Sequence, residues 1–266
     1  MFLVLRQTFR GYRLALLLMG LALMGLGILI PSTFTTFGPE GDDLISRMPR
    51  GIQAFLKTEG DLLPLLGPEG YLAIGYRHPI YLIVMAAFAI AAGSTLAREI
   101  ENGTIFLLLA RPFPRYHLVL AKGGALLAGL VALVGAALVG TALGVAIADL
   151  DQPVRLSRFF LVSSNALLLF LAIGGYGFLF SALSREGSRA IVLGTGLTVA
   201  FFLIDFVSEL WEPLEFLRPW TLFHYYIPTS IIQSGSVPWS HALVLGGVAA
   251  ASFMAAMGVF QRRDIP

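Results

Sequence analysis

Apolar runs alternate with short polar breaks along the whole chain. Six of the runs approach the roughly 20 residues a helix needs to cross about 30 Å of hydrocarbon. They fall at 14–30, 79–97, 118–148, 159–183, 190–207 and 240–260. The third exceeds a single crossing, which predicts tilt or a projection beyond the bilayer. The fourth and fifth are joined only by SREGSR. This pattern predicts an all-α polytopic membrane protein of about six transmembrane helices, folded as one domain over 1–266.

The breaks have patterns of their own. Residues 1–13, MFLVLRQTFRGYR, repeat Phe2, Leu5, Phe9 and Tyr12 at helical spacing beside Arg6, Arg10 and Arg13. That predicts an amphipathic interface helix whose arginines reach lipid headgroups; a topology anchor and a partner contact are both consistent with it. The first apolar run ends at Pro31-Ser32-Thr33 with no A-x-A-like cleavage site, so it reads as a retained helix. Two breaks are too long for plain connectors. Residues 31–78 alternate helical pieces with Pro and Gly and read as an extracytoplasmic insertion. Residues 208–239 are mostly aromatic and apolar and read as an outer re-entrant segment. Irregular backbone at that depth must be buried in protein or face a wet cavity. A rigid cap over the bundle is the simpler reading; a gate or docking surface is the alternative.

Composition agrees with the pattern. Of 266 residues, 57% are hydrophobic and 13% charged, with a mean hydropathy of +0.81, against about 25% charged in a soluble domain. The absence of cysteine excludes disulfides, thiolate metal sites and a cysteine nucleophile. The net charge of +2 comes with no basic stripe, so nucleic acid is not an expected partner. Its distribution is more informative. With the N-terminus placed in the cytoplasm, the inner pieces hold eleven bases and four acids, a net +7. The outer pieces then hold seven bases and twelve acids, a net −5. Retained Lys and Arg mark the cytoplasmic side, so a cell-membrane location with both termini and residues 98–117 inside is expected. Trp211, Trp220 and Trp239 all fall in the outer segment, as an interfacial aromatic belt would place them.

The stretch REIENGTIFLLLARPFPRYH, 98–117, sets a short apolar run between two charged ends. The second helix can continue through Glu99 and Glu101 to a stop at Asn102-Gly103. Thr104 can N-cap a short helix over Ile105–Ala110, which Pro112 ends. Pro114 resets the chain for the third span. An apolar helix of one or two turns among charges needs lipid or a protein groove to cover it.

Glu99, Gly103, Thr104, Leu108, Leu109, Pro112 and Arg115, followed by Lys122, resemble the coupling loop of ABC transporter permeases of the type 2 export class. The ending FQRRDIP is also similar to the closing segment of that class. The resemblance covers the interface helix, six spans, the loop after span two and the re-entrant segment before span six. It implies an export permease acting as a homodimer, or as a dimer with a similar permease, bound to two copies of a separate ABC ATPase. ATP and Mg would sit on that partner, and this chain would carry no cofactor. By the same resemblance, Glu99 to Arg115, with Glu101 and Phe106 among them, would dock in a groove of the ATPase and transmit its closure. The 31–78 insertion departs from the resemblance, being longer than in minimal members, and leaves an extracytoplasmic partner open.

What the sequence lacks fits a non-enzymatic subunit. No G-x-x-x-x-G-K-[ST] occurs, so the chain has no P-loop for ATP phosphates. His78, His117, His224 and His241 have no metal-binding spacing, so neither zinc nor catalysis is expected of them. Lys122 and Asp205 lie near helix ends, where snorkelling or interface exposure would suffice. Small residues line up for close packing at Ala89, Gly93, Ala97; at Ala136, Gly140, Gly144; and at Gly247, Ala251, Ala255. Met19, Met24, Met254 and Met257 read as packing side chains more readily than copper ligands. An apolar or amphipathic cargo such as a lipid, drug or antibiotic-like molecule fits best. The alternative is a permease-like subunit that matures an extracytoplasmic partner, as similar proteins do in copper delivery to nitrous-oxide reductase. A membrane-embedded enzyme would need clustered polar groups within the spans, and the sequence shows none.

Overall fold

The computed structural model describes residues 2–37, 67–104, 115–150 and 152–263. Among these, nine α-helices form: α1 Phe2–Phe37, α2 Pro68–Tyr76, α3 Pro79–Gly93, α4 Thr95–Glu101, α5 Arg115–Ala148, α6 Leu156–Leu183, α7 Gly187–Leu210, α8 Pro228–Ser234 and α9 Trp239–Arg262. Two 3-10 segments, Glu212–Trp220 and Phe223–Tyr225, join α7 to α8. Six spans are long and apolar enough to cross a membrane: Gly11–Phe34, Pro68–Gly93, Tyr116–Ala148, Leu156–Leu183, Gly187–Leu210 and Trp239–Arg262. The expected all-α polytopic architecture is therefore present. The long third run is a single 34-residue helix, about 51 Å at ~1.5 Å per residue.

The first helix departs from expectation at both ends. Residues 2–13 form no separate helix; they continue unbroken into the first span, because Gly11 is the only helix-weakening residue among them and does not break it. Arg13 is exposed on this stretch, and the side chains of Arg6 and Arg10 lie outside the described residues. At the other end the helix passes through Pro31 to Phe37. Proline removes one backbone donor and frees a carbonyl. The carbonyl so freed is that of Gly27; the Ser32 hydroxyl donates to Ile28 O at 2.9 Å and the Thr33 hydroxyl to Ile30 O at 2.8 Å, adding side-chain bonds to the turns on either side of the proline.

At the centre lies α6, which packs against α3, α5, α7 and α9. Its side chains Phe159, Phe170 and Phe178 are among the largest fully buried ones. Along α5 lies α1, closely enough that a Cβ on Gly140 would meet Met24 O at 2.3 Å. Small residues permit this backbone approach, as expected for Gly140 and Gly144. The Ala89, Gly93, Ala97 row is buried too, with Gly93 against Gly174 and Gly177 of α6. Gly247, Ala251 and Ala255 face outward instead; α9 packs through Leu245, Ala256 and Phe260 on the opposite face, where Leu and Phe supply the larger apolar side chains.

One end of the bundle is capped by short elements. The paired helices α2 and α8 pack together, tied by Arg158, whose guanidinium donates to Glu69 Oε2 at 3.3 Å and to Ile232 O. Of the 31–78 insertion, residues 38–66 lie outside the described residues. The 208–239 segment is half-buried. Thr221, Tyr226 and Ile231 face inward while Trp211, Phe216, Trp220 and Trp239 remain exposed. Asn165, fully buried on α6, fastens it by donating to Tyr225 O at 3.2 Å and accepting from Ile227 N–H at 3.3 Å.

Candidate functional site at the root of the 98–117 loop

The second span does not run straight into the loop. It breaks at Ser94, between α3 and α4, where the Ser94 and Thr95 hydroxyls donate to Ala91 O at 3.0 Å and Ala92 O at 2.8 Å. Beyond the break, the Ala97 N–H donates to the Ser181 hydroxyl of α6 at 2.7 Å. The result is a short helix, α4, hinged on its own span and bonded to the central one.

The stop after α4 is the expected one. Asn102 is its C-cap and Gly103 adopts φ +68°, a left-handed conformation that glycine takes without steric cost. The Thr104 hydroxyl turns back to donate to Glu99 O at 3.3 Å, sealing the end of α4. Phe106, Leu108, Leu109 and Pro112, with the expected short helix over 105–110, lie outside the described residues. Arg115 opens α5, and its side chain is likewise outside them.

Two carboxylates of α4 hold the root to other spans. Glu99 forms an ion pair with Lys122 of α5, joining the two helices that flank the loop. Lys122 is only 6% exposed, so it does not snorkel as its position near a helix end led us to expect. Snorkelling needs an open path to the interface, and burial between helices closes that path and makes pairing the remaining way to keep the charge. Glu101 Oε2 accepts the Gly187 N–H at 2.8 Å. This places a negative charge on an otherwise unsatisfied donor at the N-terminus of α7, where the helix dipole favours it. Gly187 fits because a Cβ there would meet Arg98 Cγ at 2.3 Å.

Two further ties complete this end. Arg263, just past α9, donates to Ala182 O at 2.6 Å and Ser184 O at 2.8 Å, capping the C-terminus of α6 with a cation. Burial, and then neighbouring Arg185, lower its pKa from the usual arginine value. The Tyr12 hydroxyl of α1 donates to Ala91 O at 3.3 Å, beside the break in span two. Every span thus sends a residue to this end. Sequence reasoning singled out Glu99, Glu101 and the FQRRDIP ending that holds Arg263, but missed Gly187 and Ser181, whose partners stand more than 80 residues away along the chain.

The opposite end holds the other buried charges. Asp205, 4% exposed, does not face the interface as its place near a helix end led us to expect. It accepts from the Thr221 hydroxyl at 3.1 Å and lies 3.7 Å from Arg218, because the 3-10 segment folds back over the end of α7. The structure also brings His224 and His241 together, their rings 5.9 Å apart. Among the described residues no group of three or more His, Cys, Asp or Glu could hold a metal ion.

Six apolar spans and a loop root bonded to several of them make up a polytopic membrane subunit. The chain matches the family described as ABC-2 family transporter protein over residues 32–265. It belongs to that family. The chain is accordingly an ABC-2 permease subunit, a multi-pass membrane protein, and membership implies an ABC ATPase partner in general. No curated protein matches the chain.

Proposed function

We propose that this permease is the membrane-spanning half of an ATP-driven exporter, moving an apolar or amphipathic cargo outward under the power of a separate ATPase docked on residues 98–117. The observation that carries this reading is the bonding at the loop root. Glu99 to Lys122, Glu101 to Gly187 and Ala97 to Ser181 join α4 to α5, α7 and α6. A partner that moves the loop therefore pulls on three spans together. Such a handle suits transmission of ATPase closure better than simple retention of the partner.

Chemistry and family membership support the remaining parts of this reading. The chain has no P-loop, so ATP and Mg belong to the partner and this subunit hydrolyses nothing. The charge split of +7 against −5 supports a cytoplasmic loop root and termini. Two ATPase copies and a second permease, the same chain or a similar one, complete the transporter. Apolar cargo suits spans whose few charges are committed to one another at the two ends.

Co-purification tests the docking. Phe106→Ser with Leu108→Ser removes two large apolar side chains, each contributing about 1.5–3 kcal/mol when buried. The expected result is loss of the ATPase from the detergent-purified permease, with the thermal melt of the bundle unchanged. Retention at wild-type affinity would show that the run rests on lipid instead.

A further inference from the structure

The C-terminal turn of α7 carries Asp205, Ser208 and Glu209 on one face, at positions i, i+3 and i+4. Asp205 and Ser208 are buried, and the side chain of half-buried Glu209 is 0% exposed. Two arginines reach this face from different connectors. Arg77, at the elbow between α2 and α3, lies 3.6 Å from Glu209 Oε2. Arg218, in the 3-10 segment Glu212–Trp220, donates to Glu209 Oε1 at 3.1 Å and lies 3.7 Å from Asp205. Thr221 adds its bond to Asp205, and Tyr226 donates to Tyr76 O at 2.8 Å, gripping the same elbow.

The cluster is paired but poorly hydrogen-bonded. Nine buried side-chain polar atoms lack a hydrogen-bond partner among the described residues, and five of them gather here: Ser208 Oγ, Glu209 Oε2, Arg218 Nε, His224 Nδ1 and His241 Nδ1. Buried polar atoms are nearly always bonded, and a concentration of exceptions calls for a physical reason. A rigid cap would be served as well or better by apolar side chains of similar volume. Groups that lack partners when closed gain them when water reaches them, which narrows the gap between a closed and an open arrangement.

We propose that Arg77, Asp205, Glu209 and Arg218 form an electrostatic latch that holds the α2–α3 elbow and the 3-10 connector against the end of α7, and that releases to admit water at this end of the bundle. The arms are separable, since Arg77 joins the elbow to α7 and Arg218 joins the connector to it. That the latch closes the exit of a cargo path rests on the export reading; that it opens and closes does not. With Glu101 holding the other end of the same helix, a shift of α7 at the loop root would be felt at the latch.

The chain has no cysteine, so a single reporter reads the latch cleanly. Ser208→Cys, at a buried position next to Glu209 in the chain, is labelled with a membrane-impermeant maleimide in the purified full chain without ATPase. Ser163→Cys, buried within α6, serves as the control for general loosening. Adding Glu209→Gln is expected to raise labelling at Ser208→Cys about tenfold and leave Ser163→Cys unchanged. No rise at Ser208→Cys overturns the latch. Should both reporters rise, the bundle as a whole has loosened, and Arg77→Gln, which removes the elbow arm and leaves Arg218 in place, decides. A rise at Ser208→Cys alone then supports the latch, and any other pattern overturns it. Because the ATPase is absent, a failed docking test would leave this result standing, and the reverse.

Discussion

Breaking the Glu99–Lys122 pair should destabilise the permease far more than removing both charges. Lys122 has 7% of its side chain exposed and Glu99 19%, so Glu99→Leu strands an ammonium between helices. Deleting one partner of a buried pair costs about 3–5 kcal/mol, whereas replacing both with apolar groups of similar volume is often neutral or stabilising. The partial exposure of Glu99 puts Glu99→Leu at the lower end, about 3 kcal/mol. Lys122→Met leaves a carboxylate with some access to water and should cost less. The double variant Glu99→Leu/Lys122→Met should return to within about 1 kcal/mol of the parent, giving a coupling energy of about 2 kcal/mol or more. Unfolding of the detergent-purified chain by titrated SDS reads all four proteins on one scale. If the variants are intact, ATPase stimulation can be measured separately: the double variant should hold its ATPase yet couple poorly, its staple across the loop root being gone. Additive destabilisation, with no coupling beyond about 0.5 kcal/mol, would refute the buried pair and the rigid root with it.

Other parts of the structure make separate claims. Gly140→Ala places a Cβ 2.3 Å from Met24 O; backbone cannot yield as a side chain does, so a loss of about 1–3 kcal/mol in the same unfolding assay is expected. Asn165→Leu orphans Tyr225 O and Ile227 N–H, at about 1–3 kcal/mol for each group, and hydrogen exchange should quicken across 221–234 while α1 and α5 keep their protection. Burial first, then Arg218, hold the His224 pKa below its ordinary 6.5, with Asp205 opposing and His241 adding to the shift. The folded state therefore binds this proton less readily than the unfolded one, so stability should rise with pH up to about 6.5 and level off above it. Melting from pH 5 to 7.5 should show that rise, and His224→Gln should flatten it.

Much of the fold could be read from hydropathy, and the reason is physical. Crossing a membrane demands a long apolar helix wherever it happens, so the six spans declare themselves without knowledge of their neighbours. The stop at Asn102-Gly103 is equally local, set by the conformation that glycine tolerates. Breaks that depend on distant partners were not legible. Gly93-Ser94-Thr95 could have hinted at the break, with hydroxyls that bond locally, but the bond that fixes α4 beyond it comes from Ser181 of another helix. The same holds for charge. Lys122 and Asp205 sit where snorkelling is the default, and only Glu99, Thr221 and Arg218 folding over them reveal that they are buried. Of the candidate site, the sequence marked the loop and its two carboxylates; the helices they grip became visible in three dimensions.

The central claim is that an ABC ATPase docks at the loop root, and site-directed photocrosslinking tests it most directly. A photoreactive amino acid placed at Asn102, next to the exposed Glu101, would be irradiated in the permease–ATPase complex, with the same probe at exposed Gln233 on the opposite end as comparison. The expected outcome is a covalent permease–ATPase adduct from position 102 and none from position 233. An adduct from 233, or none from 102 in a complex that remains assembled, would contradict docking at this loop.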